Sequence, residues 1–167
     1  KLKSIYNNKT VIVTGHTGFK GSWLSIWLTN LGANVVGLSV DVPCNPSNFE
    51  ATKLGQFIDD RRIDIRDIDK LKNIMDEVQP DFIFHLAAQS LVRNSYENPL
   101  DTISTNAFGS ACILETLRDF KKPVIAVMIT SDKAYDNVEW PWGYRETDRL
   151  GGKDPYSASK GMAEMAI

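Results

Sequence analysis

The run Thr10-Val11-Ile12-Val13-Thr14-Gly15-His16-Thr17-Gly18-Phe19-Lys20-Gly21 sets the architecture expected of this chain. Its first five residues are apolar and β-branched, the pattern of a buried parallel strand. Glycines follow at once with the spacing GxxGxxG, and Ser22 to Leu31 then reads as a helix with Gly32 at its C-terminal end. A strand, a glycine turn and a helix N-terminus make an anion site, because unpaired helix N–H groups and aligned peptide dipoles point over the turn. The usual dinucleotide fingerprint is GxGxxG. Here the first turn is slightly longer, and the third glycine keeps its helix-packing place. Gly15, Thr17, Gly18, Phe19, Lys20 and Gly21 are the candidate dinucleotide-binding residues, with Lys20 either reaching the pyrophosphate or lying solvated. His16 is expected to pack on the adenosine side.

Outward from this turn, strands and helices alternate. Lys1 to Lys9 is a polar lead-in. In the first helix Leu24, Trp27, Leu28 and Leu31 recur at core-facing spacing, and Trp23 and Trp27, one turn apart, are expected as packing residues that cover the neighbouring strands or a subunit contact. Asn34 to Val40 is a second strand. Ser39 stands near its end, where a site for NAD often has an acid, and Asp41 comes two residues later, so this position does not separate NAD from NADP. The segment 41–60 is mostly loop with one short helical turn. Arg62 to Ile65 is expected as a third strand that brings Asp64 and Ile65 to the sheet's carboxyl edge. There Asp64 either meets an adenine amino group or caps the helix Asp69 to Val78.

Phe82 to Leu86 is a fourth strand running into Ala87 and Ala88. Small residues past a strand end admit a ligand close to the backbone, so Leu86, Ala87 and Ala88 are candidates to line a nicotinamide riboside. His85, inside an apolar strand, reads as a satisfied core histidine. Asp101 to Phe120 reads as one long helix with Ile103, Ala107, Ala111, Leu114 and Leu117 on one face, where Asn106 needs a partner. Val124 to Thr130 is a fifth strand ending at Ser131-Asp132-Lys133. The alternation implies an α/β fold with a doubly wound parallel sheet of the Rossmann type. Such folds carry about six strands, so the last strands and a substrate domain are expected beyond the 167 residues.

Composition narrows the class. The net charge is -2 with dispersed Lys and Arg, which gives no basic footprint for nucleic acid or a membrane surface. Apolar residues make up 43%, yet no apolar run approaches bilayer-spanning length. Cys44 and Cys112 are isolated and only His16 and His85 are present, so no metal site is expected. These features suggest a cytoplasmic, metal-free protein.

Asn137 to Pro155 is a long aromatic and glycine-rich loop, of the kind that is usually functional. After it Tyr156 and Lys160 lie one helical turn apart. An ammonium beside a phenol favours the phenolate, and the same Lys can bind ribose hydroxyls. A phenolate next to a nicotinamide can take the proton of a sugar hydroxyl, with Ser131 hydrogen-bonded to the same oxygen.

The order GxxGxxG, Leu86-Ala87-Ala88, Ser131 and Tyr156-x-x-x-Lys160 resembles the extended short-chain dehydrogenase/reductase family. Within it, residues 15–24, 85–90, 130–137 and 143–160 resemble the CDP-glucose branch of the nucleotide-sugar 4,6-dehydratases. In related dehydratases the fifth strand ends in Thr-Asp-Glu. Ser131 matches the Thr, Asp132 matches the acid, and Lys133 departs from the wider group in the way of the CDP-glucose branch.

The resemblance implies NAD as cofactor and CDP-glucose as substrate, with a homodimer or homotetramer. It also implies a small C-terminal nucleotide-sugar domain and a role in 6-deoxy and dideoxyhexose supply for lipopolysaccharide O-antigen. By the same resemblance Tyr156, Lys160 and Ser131 oxidise C4, Lys133 takes the C5 proton or steadies the enolate, and Asp132 protonates the departing C6 hydroxyl. Two rivals stand beside this reading. A 4-epimerase shares Tyr156, Lys160 and NAD but needs no Asp-Lys pair. A non-catalytic NAD-binding protein would have lost Ser131, Tyr156 or Lys160, and all three are present.

Overall fold

A computed structural model describes residues 1–167. Five strands, β1 (Thr10–Thr14), β2 (Asn34–Ser39), β3 (Asp59–Arg62), β4 (Phe82–His85) and β5 (Ile125–Met128), form one parallel sheet in the order β3-β2-β1-β4-β5. The helices are α1 (Leu2–Tyr6), α2 (Phe19–Asn30), α3 (Asn48–Ala51), α4 (Ile68–Val78), α5 (Val92–Glu97), α6 (Pro99–Ile103), α7 (Gly109–Arg118) and α8 (Pro155–Ala166). The connections run outward from β1 to β3 and then return to β4. That reversal opens a crevice at the carboxyl ends of β1 and β4, the usual ligand position in such sheets.

Strand alternation builds two cores. Ile12, Val36, Leu38 and Ile83 face Leu71, Ile74 and Met75 of α4 and Cys112 and Ile113 of α7. Val11, Val13 and Val35 face Leu28 of α2 on the opposite side. The polar lead-in is in fact α1, and its Tyr6 ring lies 5.0 Å from that of Phe82.

Three other elements differ from the sequence expectation. The third strand is Asp59–Arg62, three residues before the apolar run, and pairs Val36 with Asp59 through Ser39 with Arg62. It is an edge strand, where charged residues are solvated and discourage further pairing; Arg61 bonds Asp59 and Glu77 there. Ile63 and Ile65 instead turn into the core.

α2 begins at Phe19 and buries Gly21, Ser22, Ser25 and Leu28, whereas Trp23 and Trp27 are each 54% exposed. A Cβ on Gly21 would lie 2.1 Å from the Gly15 carbonyl oxygen. The helix therefore sits on the turn through small residues, and its bulky ones point outward.

The expected helix 101–120 is interrupted by a π turn at Ser104–Phe108. The wider turn rotates the following face. Thr102, Asn106, Ser110, Cys112, Ile113 and Thr116 are consequently the buried residues, in place of the expected apolar stripe.

Candidate active site

Every sequence-predicted site residue lies at the carboxyl edge of the sheet or on α8. β1 ends at Gly15, whose φ is +73°, a conformation that glycine adopts without strain. Gly18 precedes α2 without a side-chain cap, so the N–H groups of Phe19, Lys20 and Gly21 have no protein acceptor. These open donors above a helix of twelve residues fit an anion. Phe19 and Lys20 are exposed. Thr17 sits beneath them and donates its hydroxyl to the Asp41 carbonyl at 2.6 Å, with Ser39 Oγ at 3.0 Å. Ser39 is thereby engaged at the end of β2.

His16 is completely buried and faces the protein rather than an open ligand surface. Its Nε2 donates to Asp60 at 2.9 Å, and its ring packs edge-on to Phe49 at 5.4 Å. A Cβ on Gly37 would lie 2.4 Å from the imidazole, so glycine at that position makes room for it. Burial lowers the His16 pKa and outweighs the attraction of Asp60.

Asp64 lies past β3 and turns both carboxylate oxygens onto Arg66, the closest at 2.6 Å, which holds its pKa below the ordinary range. The N-terminal cap of α4 is Asp67 instead. Ile65 is buried against α7, where a Cβ on Gly109 would lie 2.5 Å from its Cδ1.

Leu86, Ala87 and Ala88 follow β4 directly. A Cβ on Gly15 would lie 2.8 Å from the Ala87 nitrogen, so the two turns meet backbone to backbone. Thr14 Oγ1 accepts the N–H groups of Leu86 at 3.1 Å and Ala87 at 3.0 Å.

β5 ends near Ser131, Asp132 and Lys133, which open a 3₁₀ turn. Ser131 Oγ accepts the Lys133 N–H and donates to Asp132, each at 3.2 Å. The adjoining Thr130 hydroxyl donates to Glu164 of α8. Ala134 is fully buried, and its carbonyl accepts the Gly151 N–H at 2.8 Å. Lys133 also lines a cavity of about 240 Å³ with Tyr135, Asn137, Glu139, Lys153 and Asp154. The aromatic loop behind it is ordered by stacking of Tyr135 on Tyr144 at 5.2 Å.

On α8, Asp154 caps the helix by accepting the Ser157 N–H at 2.9 Å, and Pro155 occupies the first turn. Tyr156 is 9% and Lys160 6% exposed. Burial lowers the Lys160 pKa, and no carboxylate pairs with its ammonium. A cation without a carboxylate partner remains available to a ligand hydroxyl.

The residues from 12 to 167 match the family model described as GDP-mannose 4,6 dehydratase. The chain belongs to this dehydratase family. It is 53% identical to the CDP-glucose 4,6-dehydratase of Salmonella typhimurium, over 98% of this chain and 45% of that protein. An epimerase structure from Methanothermobacter thermautotrophicus superposes with a TM-score of 0.83 at 28% identity, over 98% of this chain and 48% of its own. The Thermus thermophilus UDP-glucose 4-epimerase, solved with NAD, gives 0.77 at 29% identity, over 93% and 49% of the two chains. The chain thus spans about half the length of these relatives. No helix is long and apolar enough to cross a membrane.

Two parts of this family member's site were not apparent in the linear sequence. Thr14 reads as the end of an apolar strand, yet it clamps the Leu86–Ala87 turn. Asn106 needs a partner on sequence grounds, but which partners it has is set by the fold: it is 1% exposed at the π turn. Its side chain accepts the Gln89 N–H at 2.8 Å and donates to Gln89 O at 3.0 Å and Ser159 Oγ at 2.9 Å. Asn106→Ala leaves buried partners unpaired and should cost about 3 kcal/mol, roughly 10 °C in Tm by thermal melting.

His85 is the core histidine expected, and burial, with the Lys160 ammonium as a smaller contribution, lowers its pKa from 6.5 to about 4. Because the folded value is the depressed one, its stabilising contribution is complete above pH 6.5 and is lost as pH falls towards 4. The loss amounts to about 3 kcal/mol at full extent. Urea unfolding between neutral pH and pH 4 should show it as a steeper acid decline in wild type than in His85→Gln.

Proposed function

We propose that this chain is the cofactor-binding and catalytic half of an NAD-dependent CDP-glucose 4,6-dehydratase, a hydro-lyase forming CDP-4-keto-6-deoxyglucose. The observation that carries the reading is the Asp132–Lys133 pair at the end of β5, on a turn packed against α8. It is joined to 53% identity with the Salmonella typhimurium enzyme of that name. NAD is supported by the open donors of the anion turn and by the related structure solved with NAD.

Gly15, Thr17, Gly18, Phe19, Lys20 and Gly21 would hold the pyrophosphate. Ser39, Asp64 and Ile65 would border the adenosine, and Leu86, Ala87 and Ala88 the nicotinamide riboside. When bound, NAD supplies reversible hydride exchange with the sugar. Tyr156, one helical turn from Lys160, takes the proton of the C4 hydroxyl. The Ser131 hydroxyl, now turned to Asp132, rotates to hold the C4 oxygen. The C4 ketone acidifies the C5 proton, which Lys133 removes or whose enolate it steadies. Asp132 donates a proton to the C6 hydroxyl as it leaves as water.

On the same reading the enzyme is cytoplasmic and a homodimer or homotetramer. The further length of its relatives supports a small nucleotide-sugar domain beside this one. Its product would serve dideoxyhexose supply for lipopolysaccharide O-antigen.

The test is turnover of CDP-glucose with NAD in deuterated water, followed by mass and NMR. A 4-keto-6-deoxy product with one solvent deuterium at C5 is expected. An isomerised sugar without loss of water would select the 4-epimerase reading, which the similar epimerase folds favour. Turnover of a different nucleotide sugar would keep the chemistry and remove the cytidine assignment.

A further inference from the structure

His85 has no part in that chemistry, yet both of its ring nitrogens are engaged although it is only 2% exposed. Nδ1 lies 2.8 Å from Thr14 Oγ1, and Nε2 lies 3.0 Å from Ser110 Oγ. The surrounding groups determine where each proton must be. Thr14 Oγ1 already accepts two backbone N–H groups, from Leu86 and Ala87. The Leu86 N–H is shared with the Thr14 main-chain carbonyl at 3.2 Å, and since both backbone neighbours are donors, the Thr14 hydroxyl hydrogen goes to His85 Nδ1. At the far end Ser110 donates to the Asn106 carbonyl at 2.7 Å. Ser110 Oγ is therefore free to accept, and Nε2 carries the imidazole proton.

The outcome is a directed chain. Thr14 O–H donates to Nδ1, Nε2–H donates to Ser110, and Ser110 O–H donates to the Asn106 carbonyl. One neutral tautomer satisfies it. A proton on Nδ1 would face the Thr14 hydrogen and turn the hydroxyl away from the Ala87 N–H.

The two ends of the chain belong to different halves of the site. Thr14 holds the Leu86–Ala87 turn in backbone contact with Gly15. Asn106, whose backbone carbonyl ends the chain, uses its side chain to bond Gln89 and also Ser159, the residue before Lys160. Plain core filling does not require this arrangement, since an apolar side chain of similar volume would fill the same space.

We propose that His85 is a positioning residue. As the neutral Nε2–H tautomer it aims the Thr14 lone pairs at the Leu86–Ala87 turn and sets that turn against the helix of Tyr156 and Lys160. The expected consequence for NAD affinity rests on the proposed function; the proton arrangement does not.

Two-bond ¹H–¹⁵N NMR on the ligand-free protein should find Nδ1 bare and Nε2 protonated at neutral pH. Three variants then separate positioning from packing. His85→Asn keeps an acceptor near Nδ1, His85→Gln keeps a donor near Nε2, and His85→Phe fills the space with neither. Amide exchange of Ala87, whose N–H bonds only the Thr14 hydroxyl, should speed up about tenfold in the Gln and Phe variants and stay near wild type in Asn. NAD affinity, measured by calorimetry, should follow the same order.

An Nδ1–H ring would overturn the proposal, and this measurement needs no variant to fold. Wild-type exchange in a folded His85→Phe protein would overturn it as well. The expected tautomer and exchange pattern, in a protein that does not bind NAD, would support the positioning role and defeat the cofactor assignment.

Discussion

Tyr156→Phe is expected to lower dehydration by about 10²–10⁴-fold, the usual contribution of a positioned acid–base group. The ring is nearly buried, and α8 is held by the Asp154 cap and by Thr130 on Glu164, none of which needs the phenol oxygen. Phe therefore removes the proton acceptor while keeping the packing. Lys160 gains no carboxylate partner by the change, so its cation stays available to ribose hydroxyls. Steady-state kinetics should show the loss in kcat, with the Kd for NAD changed only slightly. A variant retaining wild-type kcat would show that another group takes the C4 proton.

Lys133→Ala should lower dehydration by a similar factor, about 10²–10⁴-fold, but leave the first step intact. Reduced nicotinamide should then accumulate on mixing with CDP-glucose, visible by absorbance, because C4 is oxidised and elimination stalls. Lys133→Arg divides the two roles open to this residue. Arg stays charged and cannot act as a base at neutral pH, so appreciable turnover would mean that Lys133 steadies the enolate. Loss equal to that of Ala would mean that it removes the proton. Lys133 lines the same cavity as Glu139 and Asp154. Unimpaired dehydration by Lys133→Ala would end both assignments.

The parts of the site carried on short stretches were legible in the chain. Gly15 to Gly21, Leu86 to Ala88, Ser131 to Lys133 and Tyr156 with Lys160 each sit at the strand end or helix where their local pattern put them. Local steric rules are enough there, since a turn glycine or a pair four residues apart announces its geometry within a few residues. The third strand is not legible in the sequence because Ile63 and Ile65 look more strand-like than Asp59 to Arg62. Apolarity measures burial, and an edge strand can pair while remaining solvated. In α2 Leu28 is buried as its spacing implies, but Trp27 leaves the expected stripe for a related reason. Close approach to the glycine turn favours Ser22 and Ser25 on the inner face and leaves Trp23 and Trp27 outside.

By itself the sequence determined the alternation of strands and helices, the anion turn, and the residues delivered to each strand end, because these follow from side-chain period and backbone sterics. Only the tertiary structure decided the register of β3, the π turn, and the proton directions through Thr14, His85, Ser110 and Asn106. Thr14 meets His85 across 71 residues of chain, and Asn106 meets Ser159 across 53. Hydrogen bonds at such separations depend on how the sheet and helices pack, and no local pattern in the sequence encodes them.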